Sequence, residues 1–261
     1  MKNSEFNPNR FYATYPAEVI SRPGYPARAQ YKSTMMWDLW GHKIMEYLNY
    51  NCKSYADIGG CFGFGANALA YQISCSQGAY PKTKVFEIVP EFCRIGKQLF
   101  PDIDFIQEDF CSYRGDPDTF DLITLFDIIE HIPDPEVILS RIAKKTKLVL
   151  IKTPMETGGD LFGAKPPKKQ GYEHPDGHIN FFTPYEYLNL LNKSGFDIIC
   201  GKFVKSIVPF GTNRILLPES PLVKSFIKKI LIFGYYYTPY AITRKIIGRG
   251  NHICLAKSRL M

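Results

Sequence analysis

A glycine-rich turn lies between Ile58 and Phe64, directly after a short apolar run that predicts a β-strand. Glycine permits tight backbone turns and lets main-chain N–H groups approach a ligand closely. Asp57 precedes this turn, and Glu87 and Asp109 lie at the ends of the next two predicted strands. Each carboxylate alone has an equally ordinary explanation as a turn cap or a solvated strand end. Because the carboxyl ends of parallel strands meet at one edge of a sheet, the three together predict a ligand crevice there.

Two known patterns compete for this turn. Gly63, Gly65 and Ala68 match the dinucleotide fingerprint G-x-G-x-x-A, and Glu87 follows Gly65 by 22 residues, near the position expected of a ribose-binding acid. However, Gly63 comes five residues after Ile58, whereas the dinucleotide motif begins directly after its strand. The acid-first spacing Asp57-x-Gly59-x-x-x-Gly63 places its glycines correctly and is the favoured interpretation.

Taken with the acids of the next two strands, this turn resembles the first motif of the class I S-adenosylmethionine-dependent methyltransferases, and the resemblance covers residues 50–204. It implies S-adenosylmethionine as the cofactor. It also implies that Glu87 accepts hydrogen bonds from the ribose hydroxyls, that Asp109 meets the adenine amino group, and that Phe110 packs near the ring. Two departures from the family pattern are Cys61, where glycine is usual, and Phe62, where threonine or serine is frequent. The implied cofactor-binding residues are Asp57, Gly59, Gly60, Gly63, Glu87, Ile88, Asp109, Phe110, Phe126 and Asp127.

Three further stretches resemble the ubiquinone-pathway O-methyltransferase branch and its small-molecule relatives; they are 125–135, 178–184 and 194–196. That branch associates an acid-x-x-Glu-His arrangement, here Asp127, Glu130 and His131, with a divalent metal. The Glu-His pair is also common in metal-free relatives, so no metal is assigned and the question stays open.

The candidate catalytic residues are histidines, because a neutral imidazole can take a proton from a hydroxyl near neutral pH. His178 is the first choice, since it lies just before the Phe-Phe-Thr-Pro signature in the loop that leaves the fifth strand. His174 is the second choice and His131 the third. The alternatives are solvated turn histidines for the first two and a packing role for His131.

Short apolar runs alternate with helical stretches, which predicts an α/β fold: a doubly wound, seven-stranded, mostly parallel sheet with an antiparallel last strand. Residues 1–30 are predicted to be an extended arm because of Pro16, Pro23 and Pro26, and an amphipathic helix follows from Ser33. The predicted parts are 1–50 (arm and helix), 51–204 (cofactor-binding core), 205–250 (lid insertion) and 251–261 (last strand). The predicted strands are Tyr55–Ile58, Lys84–Ile88, Ile103–Gln107, Asp121–Phe126, Leu148–Lys152, Phe196–Cys200 and His252–Ala256, and the predicted helices lie near 65–76, 90–99 and 135–145 and from Thr183 onward.

Charge is distributed unevenly along the chain. Residues 201–261 carry eleven Lys or Arg and one acid, a net charge of +10, whereas residues 1–200 carry 21 basic and 24 acidic residues. The stretch Leu222–Phe233 resembles a basic amphipathic helix. It is interpreted as a lid helix, with a membrane-surface helix as the alternative, and Tyr235–Tyr240 would supply apolar walls. This charge predicts an anionic small-molecule acceptor, while the lack of an Asp/Asn-Pro-Pro-Tyr sequence after the fourth strand argues against nucleic acid.

Composition excludes several classes of protein. No apolar stretch reaches 18 residues, the first ten residues lack a signal-peptide core, and the seven cysteines contain no C-x-x-C pair. These features predict a cytoplasmic protein with reduced thiols. The sequence therefore predicts an enzyme that transfers a methyl group from S-adenosylmethionine to a hydroxyl of a sugar, phenol or other anionic metabolite. The alternatives are an NAD(P)-dependent oxidoreductase and a non-catalytic interaction module; oligomeric state is left open.

Overall fold

A computed structural model describes residues 24–115, 119–155, 177–204 and 250–261. The predicted N-terminal segment 1–23, His174 and almost all of the basic insertion, including Leu222–Phe233 and Tyr235–Tyr240, lie outside these ranges. Within the described ranges, no helix is both long enough and apolar enough to span a bilayer.

The centre of the fold is one seven-stranded sheet with the strand order β3-β2-β1-β4-β5-β7-β6. Strands β1 to β5 are parallel, and β7 runs antiparallel to both β5 and β6. The predicted fold class and the antiparallel last strand are thereby confirmed. The strands are β1 (Ser54–Ile58), β2 (Lys82–Phe86), β3 (Asp104–Ile106), β4 (Phe120–Phe126), β5 (Thr146–Met155), β6 (Phe196–Val204) and β7 (Gly250–Ser258).

Helices cover both faces of this sheet, which explains why the central strands are apolar along nearly their whole length. Every residue of β4 before Phe126 is buried, and one apolar cluster packs on each face of the sheet. Among the described residues, the helices are α1 (Tyr25–Tyr47), α2 (Phe64–Gln77), α3 (Pro90–Leu99), α4 (Pro135–Ala143) and α5 (Pro184–Lys193), and a 3₁₀ turn lies at Ile129–His131.

Helix α1 begins earlier than the sequence predicts. It starts at Tyr25, so the expected extended arm to residue 30 is wrong for residues 25–30. The reason is the position of Pro26, which occupies the first turn of the helix. Proline is tolerated there because its missing N–H would have no intrahelical partner, so it starts this helix and does not prevent it.

The strand order reverses between β1 and β4, which are neighbours in the sheet although β2 and β3 lie between them in the chain. At such a switch point the connections leaving the two strands diverge to opposite faces and open a crevice at the carboxyl edge. The turn after β1, the residues after β2 and β3, and the turn after β4 all meet at this edge.

One carboxylate aligns the two strands that flank the crevice. The Asp121 Oδ2 atom, at the start of β4, accepts hydrogen bonds from the backbone N–H groups of Lys53 (2.7 Å) and Ser54 (3.0 Å) at the start of β1. Lys147 forms an ion pair with Asp121 at 2.8 Å. Burial opposes ionisation of Asp121, but the contacts with Lys147 and the two N–H groups outweigh it and lower its pKa.

We expect Asp121→Ala to lower the free energy of unfolding by about 1–3 kcal/mol, since two N–H groups lose their acceptor. Asp197→Ala is the matched control. Among the described residues, Asp197 forms only exposed ion pairs, with Lys257 and Arg259, so its substitution should cost about 1 kcal/mol or less. The folded-state pKa of Asp121 is depressed, so its ionic contribution to stability should be fully present above the unfolded pKa of about 4 and should be lost as the pH falls from there through the lower folded-state pKa. Urea unfolding at pH 7 and pH 3 measures both effects; equal losses for the two variants would contradict this role.

Candidate active site

The turn after β1 has a backbone that only glycine accommodates at two positions. Gly59 has φ +69°, and a Cβ atom there would lie 2.1 Å from Cδ1 of Ile128. A Cβ atom at Gly60 would lie 2.7 Å from an Asp57 carboxylate oxygen. Cys61, which replaces the usual glycine of the family pattern, also adopts a positive φ of +50°. The turn therefore packs closely between β1 and the turn after β4, as a backbone ligand-binding loop requires.

Asp57 lies beneath this turn, and its side chain is buried. Its Oδ1 atom accepts a 2.6 Å hydrogen bond from the Thr124 hydroxyl, which also contacts the Tyr55 hydroxyl at 2.9 Å. Burial raises the pKa of Asp57 to about 7; the Thr124 hydrogen bond opposes this rise and the Glu87 charge adds to it. In this position Asp57 supports the shape of the turn, and its predicted contact with a cofactor stays a prediction.

Glu87 connects the glycine turn to the end of β2. One carboxylate oxygen accepts a hydrogen bond from the Cys61 N–H at 3.1 Å, and the other accepts one from the Val89 N–H at 3.0 Å. Burial raises the pKa of Glu87, and these backbone hydrogen bonds oppose the rise. Each carboxylate oxygen has a second lone pair, so Glu87 can accept two further hydrogen bonds from a ligand diol.

Three other predicted cofactor residues occupy different environments. Ile88 is 45% exposed beside Glu87, so it offers an apolar surface at the crevice. Asp109 is exposed and accepts a 2.9 Å hydrogen bond from the Cys111 N–H. Phe110 is buried, and its ring centroid lies 4.9 Å from that of Phe86, inside the core. Phe110 thus packs behind the crevice wall, and its predicted contact with an adenine ring remains a prediction.

Asp127 directly follows Phe126, the partly buried last residue of β4, and forms ion pairs with two lysines. Its backbone has an unusual φ of +59°, and its N–H donates to the Lys152 carbonyl at 2.9 Å. Its side chain pairs with Lys32 of α1 at 2.7 Å and with Lys152 of β5. Burial alone would raise the pKa of Asp127, but the two positive charges hold it well below its usual range. Asp127 is therefore a carboxylate at every physiological pH.

Glu130, His131 and His178 lie together beside the same turn. His131 Nδ1–H donates to the Gly177 carbonyl at 3.2 Å, and its ring meets that of His178 edge-to-face with centroids 4.8 Å apart. Backbone N–H groups of Ile179 and Asn180 donate to the Glu130 carbonyl at 2.9 and 3.0 Å. These bonds fix the segment after Gly177 against the turn after β4, which brings together two histidines 47 residues apart.

The Glu130 side chain is 1% exposed, and neither of its oxygens has a hydrogen-bond partner among the described residues. The Nε2 atom of His131 lies 3.9 Å from the Oε1 atom of Glu130. Burial and the charge of Asp127 raise the pKa of Glu130 well above its ordinary value, and the positive charges of Lys152 and Lys32 only partly oppose this rise. A buried carboxyl group without partners is costly in structural terms, which marks this position as a functional candidate.

The sequence left open whether Asp127, Glu130 and His131 together bind a metal ion. In the structure, a different group of possible metal ligands lies close together. Asp127 is engaged by lysines, whereas one potential ligand atom each from Glu130, His131 and His178 lie within 4.8 Å of one another. The structure therefore brings together two of the three predicted catalytic histidines. Sequence reasoning missed Lys32 and Lys152. A lysine within the apolar run of β5 was an available signal for Lys152, while nothing in the sequence around Lys32 pointed to the crevice.

Comparison with known proteins identifies the family to which this chain is similar. A protein-family profile described as a methyltransferase domain matches residues 56–200, more than half of the chain. No curated protein has a significantly similar sequence.

Several solved structures share the fold at low sequence identity. The [4+2]-cyclase SpnF has a TM-score of 0.57 and 15% identity, with 88% of this chain and 82% of that chain covered. The O-MT region of StiE has a TM-score of 0.56 and 16% identity, with coverage of 96% and 81%. Magnesium protoporphyrin IX methyltransferase from Synechocystis, solved with bound SAM, has a TM-score of 0.50 and 12% identity, with coverage of 96% and 88%. At these identities the similarity demonstrates a common fold only.

The raised pKa of Asp57 gives a prediction on stability. A carboxyl group whose folded-state pKa of about 7 exceeds its unfolded value of about 4 binds its proton more tightly in the native state. The native state therefore loses stability as the pH rises through this window. Asp57→Asn keeps the hydrogen bond from Thr124 but cannot ionise. The free energy of unfolding of this variant, relative to that of the wild type, should therefore rise by about 1–3 kcal/mol from pH 5 to pH 8. Urea unfolding midpoints at both pH values test this, and a constant difference between the two proteins would contradict it.

Proposed function

This chain belongs to the methyltransferase domain family, and we propose that it transfers the methyl group of S-adenosylmethionine to a hydroxyl oxygen of a small anionic metabolite. The observation that carries the proposal is the joining of Glu87 to the glycine turn through the Cys61 N–H, at the switch point of the sheet. The pair of His131 and His178 lies beside the turn after β4, which is the neighbour of β1 in the sheet.

The residues at the crevice fit this cofactor. Side chains at Gly59 and Gly60 would collide with Ile128 and Asp57, so glycine at these positions lets the turn pack tightly against the protein, as a ligand-binding backbone loop requires. Glu87 can accept hydrogen bonds from both ribose hydroxyls while keeping its two backbone donors. Ile88 offers an exposed apolar surface for adenine, and the exposed Asp109 offers an acceptor for its amino group.

When bound, S-adenosylmethionine supplies an electrophilic methyl carbon on a sulfonium, so the chain's own residues must orient the acceptor and accept its proton. His178 is proposed to take that proton, with His174 as the second choice. His131 positions the His178 ring through its edge-to-face contact, and its own bond to the Gly177 carbonyl fixes its orientation. The contribution of the protein is positioning together with one general base.

The proposal that the acceptor is anionic rests on the positive charge of the C-terminal part of the chain. The last 61 residues carry a net charge of +10 and connect to β6, whose carboxyl end lies at the same edge of the sheet as the glycine turn. A strongly basic stretch of chain that follows this strand in the sequence favours an acceptor with a carboxylate or phosphate group. The NAD(P)-dependent alternative lacks support from the family profile, while the cyclase SpnF illustrates that this fold hosts other reactions.

Cofactor binding gives the first test of this function. Isothermal titration calorimetry should show binding of S-adenosylhomocysteine and none of NADH. Glu87→Ala should weaken the binding of S-adenosylhomocysteine by about 1–3 kcal/mol, roughly 10- to 100-fold, because the ribose hydroxyls lose a charged hydrogen-bond acceptor. Glu91→Ala is the matched control, since Glu91 is an exposed residue of α3 paired only with Arg94 among the described residues. NADH binding without S-adenosylhomocysteine binding, or wild-type affinity in Glu87→Ala, would overturn the proposal.

Turnover tests the general base. Methyl transfer from labelled S-adenosylmethionine is measured on a panel of hydroxyl-bearing carboxylates and sugar phosphates. His178→Ala should lower the rate by roughly 10²- to 10⁴-fold and leave S-adenosylhomocysteine affinity unchanged. His42→Ala, an exposed position on α1, is the control.

Excess EDTA separates this base from a metal. Full activity in EDTA is expected if His178 acts as a base. Loss of activity that a divalent cation restores would instead assign Glu130, His131 and His178 to a metal site.

A further inference from the structure

Three polar side chains meet near the carboxyl edge of the sheet, and we call Thr153, Tyr187 and His252 the polar row. His252 of β7 is paired with Thr153 of β5 on one side and with Phe203 of β6 on the other. Directly opposite residues of antiparallel strands project from the same face of a sheet. Tyr187 of α5 packs there, with its ring centroid 5.1 Å from that of His252. An aliphatic hydroxyl, a phenol and an imidazole therefore converge in one place.

The polar row has three buried atoms without hydrogen-bond partners among the described residues. They are Oγ1 of Thr153, the hydroxyl oxygen of Tyr187 and Nδ1 of His252. Thr153 and Tyr187 are fully buried, and His252 is 2% exposed. A buried polar group without a partner is unfavourable, and nearly all such groups in proteins are satisfied. Three of them at one place therefore indicate a site whose partner is a bound molecule.

The place of the His252 ring depends on the neighbouring strand. A Cβ atom at Gly201 would lie 2.8 Å from Nε2 of His252, so β6 has room for the imidazole because this residue is glycine. Glycine inside a strand is unfavourable and often marks the close approach of another group. On the same strand, the Phe203 ring centroid lies 4.3 Å from that of the imidazole. The imidazole is thus held in place by packing, although its Nδ1 atom is unpartnered among the described residues.

The polar row is uncharged. Burial lowers the pKa of His252 to about 4, so its imidazole is neutral at physiological pH. Burial also raises the pKa of Tyr187 well above its ordinary value, so the phenol keeps its proton. The row therefore offers hydrogen-bond donors and acceptors but no charge to balance an ion. Because an ionic group buried without a counter-charge is strongly unfavourable, a neutral polar group fits here better than a charged one.

One segment connects the polar row with the histidine pair. The residues that follow His178 are fixed to the turn after β4, because their backbone N–H groups donate to the Glu130 carbonyl. The same segment reaches the row at Phe182, whose ring centroid lies 6.1 Å from that of Tyr187. Ile129 of the turn belongs to the same apolar cluster as Phe182 and Tyr187. The histidine pair and the polar row are therefore joined along one face of the sheet.

We propose that the polar row binds a neutral oxygen function of the acceptor, a hydroxyl or a carbonyl, separate from the hydroxyl that is methylated. This inference rests on the proposed function and narrows its substrate class to anionic metabolites with a further uncharged oxygen group. Tyr187 and Thr153 supply hydroxyl contacts, and Nδ1 of His252 supplies the third. The row determines specificity and takes no part in the transfer of the proton or the methyl group.

The stability of the free protein gives the first test. Tyr187→Phe and Thr153→Val remove unpartnered hydroxyls, so the melting temperature should stay the same or rise. Tyr55→Phe is the matched control, because the Tyr55 hydroxyl is equally buried but contacts the Thr124 hydroxyl at 2.9 Å. Its melting temperature should fall by roughly 2–4 °C. A similar fall in both test variants would overturn the inference, since their hydroxyls would then be satisfied in the free protein, for example by ordered water.

Paired acceptors give the second test. Compounds of the acceptor panel are compared in pairs that differ by one hydroxyl, such as 3,4-dihydroxybenzoate with 3-hydroxybenzoate and glucose 6-phosphate with 2-deoxyglucose 6-phosphate. The wild type should prefer the member with the additional hydroxyl by about 10-fold or more in kcat/KM. The double variant Tyr187→Phe, Thr153→Val should lose this preference, mainly through KM. Tyr185→Phe, at a 79% exposed position of the same helix, is the control and should keep it.

An unchanged preference in the double variant would overturn the inference. An equal loss of turnover on both members of a pair would also overturn it, since that result indicates a role in the shape of the active site. A wild-type protein that binds no S-adenosylhomocysteine and methylates no compound of the panel would refute the proposed function itself. That result is distinct from a loss of preference confined to the double variant.

Discussion

The burial of carboxyl groups at one edge of a parallel sheet is the constraint on which this site depends. Each such group must be compensated, because an isolated buried charge is strongly unfavourable. Asp57 is compensated by the Thr124 hydroxyl and a raised pKa, Glu87 by two backbone N–H groups, and Asp127 by two lysines. Glu130 has no hydrogen-bond partner among the described residues, and it lies beside the two histidines.

The sheet could be predicted from the sequence because its signals are local. Short apolar runs alternate with helical stretches, and each of the seven predicted strands overlaps a strand of the structure. The capping box formed by Thr183 and Glu186 and the N-cap Asp134 mark the starts of α5 and α4 in the sequence itself. The start of α1 could not be predicted in the same way. A proline stops a helix in its interior but starts one in its first turn, and the sequence alone did not distinguish the two.

The site could be predicted only in part, because its key contacts join distant parts of the chain. Glu87 was identifiable from its place at a strand end, but its bond to the Cys61 N–H depends on the three-dimensional turn. The approach of His178 to His131 and of Lys32 to Asp127 depends on how a loop and a helix pack on the sheet. Phe110 is a different case. Its position in the sequence motif predicts a contact with the adenine ring, whereas its ring packs against Phe86 in the core.

Hydrogen–deuterium exchange with and without S-adenosylhomocysteine tests the central claim most directly, because it reports where a cofactor contacts the chain without knowledge of the acceptor. Binding at this edge of the sheet should slow exchange in the turn 59–64 and in the segment 87–90. The amides of Cys61 and Val89, which bond to Glu87, should be among those protected. Unchanged exchange in the turn 59–64 and around Glu87 at saturating ligand, or protection confined to other parts of the chain, would contradict the account.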